Sequence, residues 1–211
     1  MNVYLLTETE TGCYKWRAAI PAKYLRRRGH QVQVFKQSGS AHMPDVVVFF
    51  RGYYPDTQPL FEWCKRHQIR VVFDTDDALD LVPRENVNYG LVQRTAASYA
   101  FLLKNADLVT TTTAELAAHL RRWNPHVRVL PNSVDPEEWS VRRRHGTPRI
   151  GWTGSSTHFM DLAILLEAVR QLQKRHEFHF ILQGISSCST IRQLYELQLA
   201  VPAFAEVVVV L

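Results

Sequence analysis

Four carboxylates crowd the stretch Asp74-Thr75-Asp76-Asp77-Ala78-Leu79-Asp80, directly after the apolar run Val71-Val72-Phe73. At that density carboxylates can hold a divalent cation, take a proton from an attacking hydroxyl, or accept hydrogen bonds from sugar hydroxyls. Asp76 or Asp77 also suits the N-cap of a short helical turn over residues 78–81, although a cap uses one side chain and four are present. Arg51 follows a second apolar run, Val46-Val47-Val48-Phe49-Phe50. Its guanidinium can balance these charges, hold an anionic acceptor, or make a plain salt bridge at a sheet end.

A second constellation is Gly154-Ser155-Ser156-Thr157-His158, between an apolar run at residues 150–153 and a helical pattern. Free backbone N–H groups and hydroxyls at a helix start, with the positive end of the helix dipole behind them, suit a phosphate or diphosphate. A bare capping role for Ser155, Ser156 or Thr157 is the competing reading. His158 can donate to a phosphate oxygen or stand as a surface histidine. Gly184 follows the next strand, where backbone passes close to the same ligand or simply turns. Neither a GxGxxG nor a GxxxxGK[ST] pattern occurs here, so a dinucleotide fingerprint and a Walker-type loop are both excluded. His176 and His179 straddle a helix end and a strand start and do not share a face as metal ligands.

The elements that must position these groups alternate strand and helix, the pattern of a parallel sheet covered on both faces. Strands are predicted at residues 3–6, 32–35, 46–50, 71–73, 108–111 and 127–130. Helices are predicted at 17–28, closed by Gly29, then at 60–67, 89–105 and 114–123, with residues 7–16 as a polar loop. Ligands of open α/β sheets sit at the carboxyl ends of strands. The residues there are Arg51, the Asp74 cluster, Asn132, Ser133 and Asp135. Pro and charge without periodicity mark a linker within 131–148, and Trp139 is placed to pin it. The domains are therefore 1–135, a linker at 136–148, and a second unit at 149–211. That unit has strands at 150–153, 178–182 and 207–211 and helices at 161–173 and 191–199. The fold class is α/β with two Rossmann-like doubly wound units. The wholly apolar last strand wants neighbours on both sides, so the second unit is expected to be incomplete and prone to self-association.

Composition narrows the function. No apolar run approaches the roughly 20 residues of a membrane span, and no basic leader precedes the first strand. Cys13, Cys64 and Cys188 lie far apart without CxxC spacing, which speaks against a disulfide framework or structural zinc and for a reduced, cytosolic compartment. The net charge of +5 concentrates in Arg26-Arg27-Arg28 and Arg142-Arg143-Arg144 without interleaved aromatics. Nucleic acid is therefore not expected, while a loose contact with an anionic membrane face is compatible.

Four segments together resemble the GT-B glycosyltransferases of the family-four type (glycosyl transferases group 1). They are Phe73-Asp74-Thr75-Asp76-Asp77-Ala78-Leu79; Ala106-Asp107-Leu108-Val109-Thr110; Val129-Leu130-Pro131-Asn132-Ser133-Val134-Asp135; and Arg149-Ile150-Gly151-Trp152-Thr153-Gly154-Ser155 with His158 and Asp161-Leu162. The resemblance runs over nearly the whole chain. It implies two facing Rossmann-like domains, a nucleotide-sugar donor held mainly by the second, and a glycan, lipid-linked or protein acceptor at the first. It implies transfer with no cofactor or obligatory metal, with retention of configuration favoured. Residue by residue it places Gly12 in the first donor-facing loop, Asp76 and Asp77 at the cleft as catalytic carboxylates, and Asn132 and Asp135 at the hinge. It places Gly154, Ser155 and His158 at the diphosphate. The chain departs from the pattern in its first loop, which carries a single glycine, and in ending before the Glu-x7-Glu signature. Two other functions fit the residues: a non-catalytic nucleotide- or glycan-binding protein, and a metal-dependent phosphotransferase or hydrolase built on Asp74 and Asp76.

Overall fold

The computed structural model describes residues 1–7, 12–35, 43–51, 57–86, 88–139, 146–154, 159–183 and 206–207. The chain divides into two compact units, Met1–Ser140 and Val141–Leu211. In the first, six strands pair in the order β2-β1-β3-β4-β5-β6, every pairing parallel. They are β1 Asn2–Leu6, β2 Gln31–Phe35, β3 Val46–Phe50, β4 Arg70–Asp74, β5 Leu108–Thr111 and β6 Val127–Val129. Short valine-rich runs suit strands buried on both faces.

Side chains alternate across the sheet, so β1 feeds a core on each face. On one face Tyr4, Val47, Phe49, Val71, Phe73 and Val109 pack with Phe61 and Cys64 of α3 (Thr57–Arg66), Tyr99, Leu102 and Leu103 of α4 (Tyr89–Asn105), and Leu120 of α5 (Ala114–Leu120). On the other, Val3, Leu5 and Val32 pack with Ala18 and Ala22 of the helix joining β1 to β2. The bounds of β3, α4 and β5 coincide with the predicted ones. The helix α5 is shorter than predicted, ending before Arg121-Arg122-Trp123. Its start is fixed by Thr113, whose hydroxyl accepts from the Leu116 N–H at 3.1 Å.

The connection after β1 departs most from expectation. The polar loop predicted over 7–16 is helical from Gly12: α1 (Gly12–Tyr14) runs into a π-helical stretch, Lys15–Ala19, and then α2 (Ile20–Arg27). The Ile20 N–H bonds to the Lys15 carbonyl, five residues back. Pro21 supplies the reason, because it has no N–H to give and its ring presses on the carbonyl four residues earlier. Widening the preceding turn relieves that clash. The helix closes at Gly29, with φ of 84°. Gly29 N–H bonds to Arg26 O at 3.0 Å and His30 N–H to Leu25 O at 3.1 Å, the paired bonds of a Schellman end.

The second unit holds β7 (Arg149–Thr153), α6 (Phe159–Gln173), β8 (His179–Gln183) and β9 (Glu206–Val207), the strands parallel in the order β7-β8-β9. Phe180 and Leu182 of β8 and Val169 of α6 are buried. The predicted helix at 191–199 and residues 208–211 lie outside the described residues. Among the described residues no helix is long and apolar enough to cross a membrane.

Candidate functional site

The strand order reverses at β1, whose neighbours β2 and β3 are reached in opposite directions, and ligands of such sheets sit at the carboxyl ends beside that reversal. Cys13 of α1, Arg51 after β3, and Asp76 and Asp77 after β4 meet there. Arg51 takes φ of 52°, a left-handed conformation unusual for a side chain with a Cβ. Its N–H bonds to the Asp74 carbonyl at 3.2 Å. The guanidinium then reaches Asp76 through Nε at 2.9 Å and Asp77 through Nη2. Burial works against the Arg51 charge, but the two carboxylates more than offset it and the cation is held protonated. The Cys13 thiol donates to Asp76, and burial together with the Asp76 charge pushes its pKa up to about 11, so it stays a thiol.

The turn carrying the two aspartates is braced from below. The Thr75 hydroxyl donates to the Asp77 carbonyl at 3.0 Å, and Tyr99 of α4 donates to the same oxygen at 3.2 Å. Asp76 and Asp77 therefore do not cap the following 3-10 turn, Leu79–Leu81. Its N-cap residue is Ala78, with no side-chain cap. Asp77 is half exposed, whereas the Asp76 side chain is 12% exposed between Arg51 and Cys13. One guanidinium faces two carboxylates, which leaves a site of net negative charge suited to neutral hydroxyl groups.

The four clustered carboxylates separate into three environments. Asp74 is buried and receives both Nε (2.9 Å) and Nη2 of Arg17, with the Thr110 hydroxyl at 2.5 Å. Its oxygens are occupied, so the metal-binding use of Asp74 with Asp76 loses its geometric basis. Asp80 turns to His119 of α5, at 2.8 Å from Nε2. Only Asp76 and Asp77 share the site with Arg51.

Asn132 and Asp135 lie on residues 130–138, which strap back onto the π stretch and α2. Arg17 Nη1 donates to the Leu130 carbonyl at 2.5 Å and to Asn132 Oδ1 at 3.3 Å. Asp135 is fully buried and takes Lys23 and the Tyr24 hydroxyl, the latter at 3.0 Å. Glu137 takes Arg27 at 2.6 and 2.8 Å and Lys23 at 2.9 Å, and Glu138 pairs with Lys15. These ion pairs hold the segment. Trp139, predicted to pin it, is 60% exposed.

The Arg27 and Lys23 donors hold the Glu137 pKa down at about 2, and the Lys23 ammonium likewise lowers that of Asp135. A carboxyl depressed in the folded state stabilises above its unfolded value, roughly 4, and that contribution fades as pH falls through the folded value. Amide exchange over residues 130–138 is therefore expected to be slow and level from pH 7 to about 4, once corrected for intrinsic rates, and to accelerate between about 4 and 2. Protection unchanged down to pH 2 would mean the ion pairs do not hold the strap.

In the second unit Gly154 directly follows β7, its N–H bonded to Gln183 O of β8 at 3.1 Å. Ser155, Ser156, His158 and Gly184 lie outside the described residues. Gly12 is the first residue of α1, next to Cys13.

The sequence reading missed Cys13, Arg17, Tyr99 and Thr110. Arg17 carried a signal: it lies one residue before Ala18 on a helix whose buried stripe is Ala18 and Ala22, where a cation must find a partner.

No protein-family model and no curated protein matches the chain by sequence. Solved structures do match it by shape. The catalytic domain of starch synthase IV from Arabidopsis thaliana, bound to ADP and acarbose, superposes with a TM-score of 0.61 at 10% identity, over 100% of this chain and 73% of that one. A glycosyltransferase from Rickettsia africae gives 0.53 at 13% identity, over 99% of this chain and 67% of that one. An α-glucosyltransferase in complex with UDP-glucose and abasic-site DNA gives 0.55 at 12% identity, over 92% of this chain and 59% of that one. The fold is thus α/β of the kind these GT-B-like transferases share.

Proposed function

We propose that the chain belongs to a glycosyltransferase of the family-four type that moves a sugar from a nucleotide-sugar donor to an acceptor hydroxyl, in glycan or polysaccharide assembly. The observation that carries this is the placement of Arg51, Asp76 and Asp77 at the reversal point of a parallel sheet whose shape matches glycosyltransferase structures. In this reading the first unit receives the acceptor and the second seats the donor. The acceptor hydroxyl donates its hydrogen bond to Asp76. As its oxygen bonds to the sugar carbon and the bond to the diphosphate breaks, the hydroxyl proton passes to the Asp76 carboxylate. Arg51 aims Asp76 through its Nε, and Asp77 shares Arg51 from the exposed side. Neutral Cys13 donates to Asp76 without competing for the proton.

In this reading the diphosphate lies at the backbone after β7, at Gly154, where a helix N-terminus would favour an anion. The ADP and UDP-glucose held by the similar structures support a nucleotide ligand. No metal step is invoked, because the cluster that suggested one is divided among Arg17, Arg51 and His119.

Calorimetric titration with UDP, ADP, GDP and their glucose or mannose conjugates, with and without Mg2+, tests the donor seat. Saturable binding that persists in EDTA and is lost in Gly154→Asp is the expected result. A folded chain that binds none of them would overturn the reading. Binding without any transfer or donor hydrolysis would favour a nucleotide-binding protein instead.

A further inference from the structure

Between α2 and the strap of residues 130–138 lies a cavity of about 580 Å³. That is within the few hundred to a thousand Å³ of small-molecule sites. Ile20, Pro21, Leu25, Pro131, Val134 and Pro136 give it mainly apolar walls. Two of its polar side chains are already satisfied: Arg17 is spent on Asp74, Leu130 and Asn132, and the Tyr24 hydroxyl on Asp135, which leaves Ser133 and the Trp16 indole as the other polar side chains besides Arg28 in a lining that is mainly apolar. The interior therefore asks for few hydrogen bonds, and an apolar body fills it at least cost.

The rim has one conspicuous charge. Of the cations carried by residues 12–28, Lys15 pairs with Glu138, Arg17 with Asp74, Lys23 with Asp135 and Glu137, and Arg27 with Glu137. Arg26 donates to the Val32 carbonyl. Arg28, which lines the cavity and is exposed, has no side-chain partner among the described residues. The strap's acids, Asp135, Glu137 and Glu138, are all committed to other cations, so the described residues offer Arg28 no anion. An occupant that satisfies both features brings an apolar chain and an acidic head.

We propose that this cavity binds a single amphiphile, its alkyl or isoprenoid chain between α2 and the strap and its phosphate or carboxylate head on the Arg28 guanidinium. The site is separate from the transfer site and does not depend on that function, since it is read by binding in the absence of nucleotide. Because the strap forms one wall, occupancy also slows amide exchange over residues 130–138.

The test is calorimetric titration of the full chain with dodecyl phosphate below its micelle concentration, with inorganic phosphate and dodecanol as controls. Expected are one saturable site per chain, no binding of inorganic phosphate alone, at least tenfold weaker binding in Arg28→Gln, and loss in Val134→Asp. Val134 is 62% exposed, so that change spares the core, and circular dichroism checks it. Ser133→Trp, which fills the mouth from an exposed position, is the second blocking variant. Absence of saturable binding by the folded chain, or equal binding by Arg28→Gln and both blocking variants, overturns the proposal. So does sedimentation with anionic vesicles that is the same for wild type, Val134→Asp and Ser133→Trp, which would assign the cationic rim to a membrane surface instead.

Discussion

Replacing Arg17 by Met is expected to cost the first unit about 3–5 kcal/mol, the range for stripping one partner from a buried ion pair. The Arg17 and Asp74 side chains are 1% and 4% exposed, so water cannot take over for the missing guanidinium. The loss goes beyond the pair: the Leu130 carbonyl and Asn132 Oδ1 lose a donor at the same moment, and among the described residues the Asp74 carboxylate keeps the Thr110 hydroxyl alone. Hydrogen exchange at β4 and β5, against urea, reads this unit without assuming that both units unfold together. Adding Asp74→Asn removes the stranded charge. The double variant is expected to recover a substantial part of the loss, so the two changes are strongly non-additive. A single-variant cost below about 1 kcal/mol, the scale of exposed pairs, would show that the Arg17 site admits water.

The same pair marks where a sequence stops being informative. Strands and helices were legible because apolar residues recur at the period of the element: β3, α4 and β5 are bounded as their patterns predict, and Gly29 ends α2 because only the left-handed turn closes that helix. The helix start at Gly12 was not legible. Its polar first turn has no apolar stripe, and its course is set by Pro21 downstream and by the reach of Arg17 to Asp74, 57 residues away. The acidic cluster shows the same limit. Asp74, Asp76, Asp77 and Asp80 look alike in one dimension, yet the end of β4 turns Asp74 inward to Arg17, Asp76 turns to Arg51, and Thr75 and Tyr99 hold the Asp77 carbonyl of the following turn. Their partners, Arg17, Arg51 and His119, come from three other elements. Position after a strand identified the site's neighbourhood; the partners that divide its charges are long-range and leave no local pattern.

That division makes the second large effect specific. Asp76→Asn is expected to lower sugar transfer by about 10²–10⁴, the usual contribution of a positioned general base, while nucleotide binding is unchanged. Asn keeps the shape and can still accept from Arg51 Nε, so the change removes proton affinity more than architecture. Asp77→Asn is the internal control. Its side chain is 51% exposed, and Asp76 still pairs with Arg51, so transfer should stay within about tenfold, or 1.4 kcal/mol of barrier. Rates are measured with whichever donor the titrations identify, with saturating acceptor, and donor affinity is read separately by calorimetry. A fall in kcat confined to Asp76→Asn assigns the proton to that carboxylate. Equal falls for both variants would make net charge the operative feature, and full activity in Asp76→Asn would remove Asp76 from the chemistry.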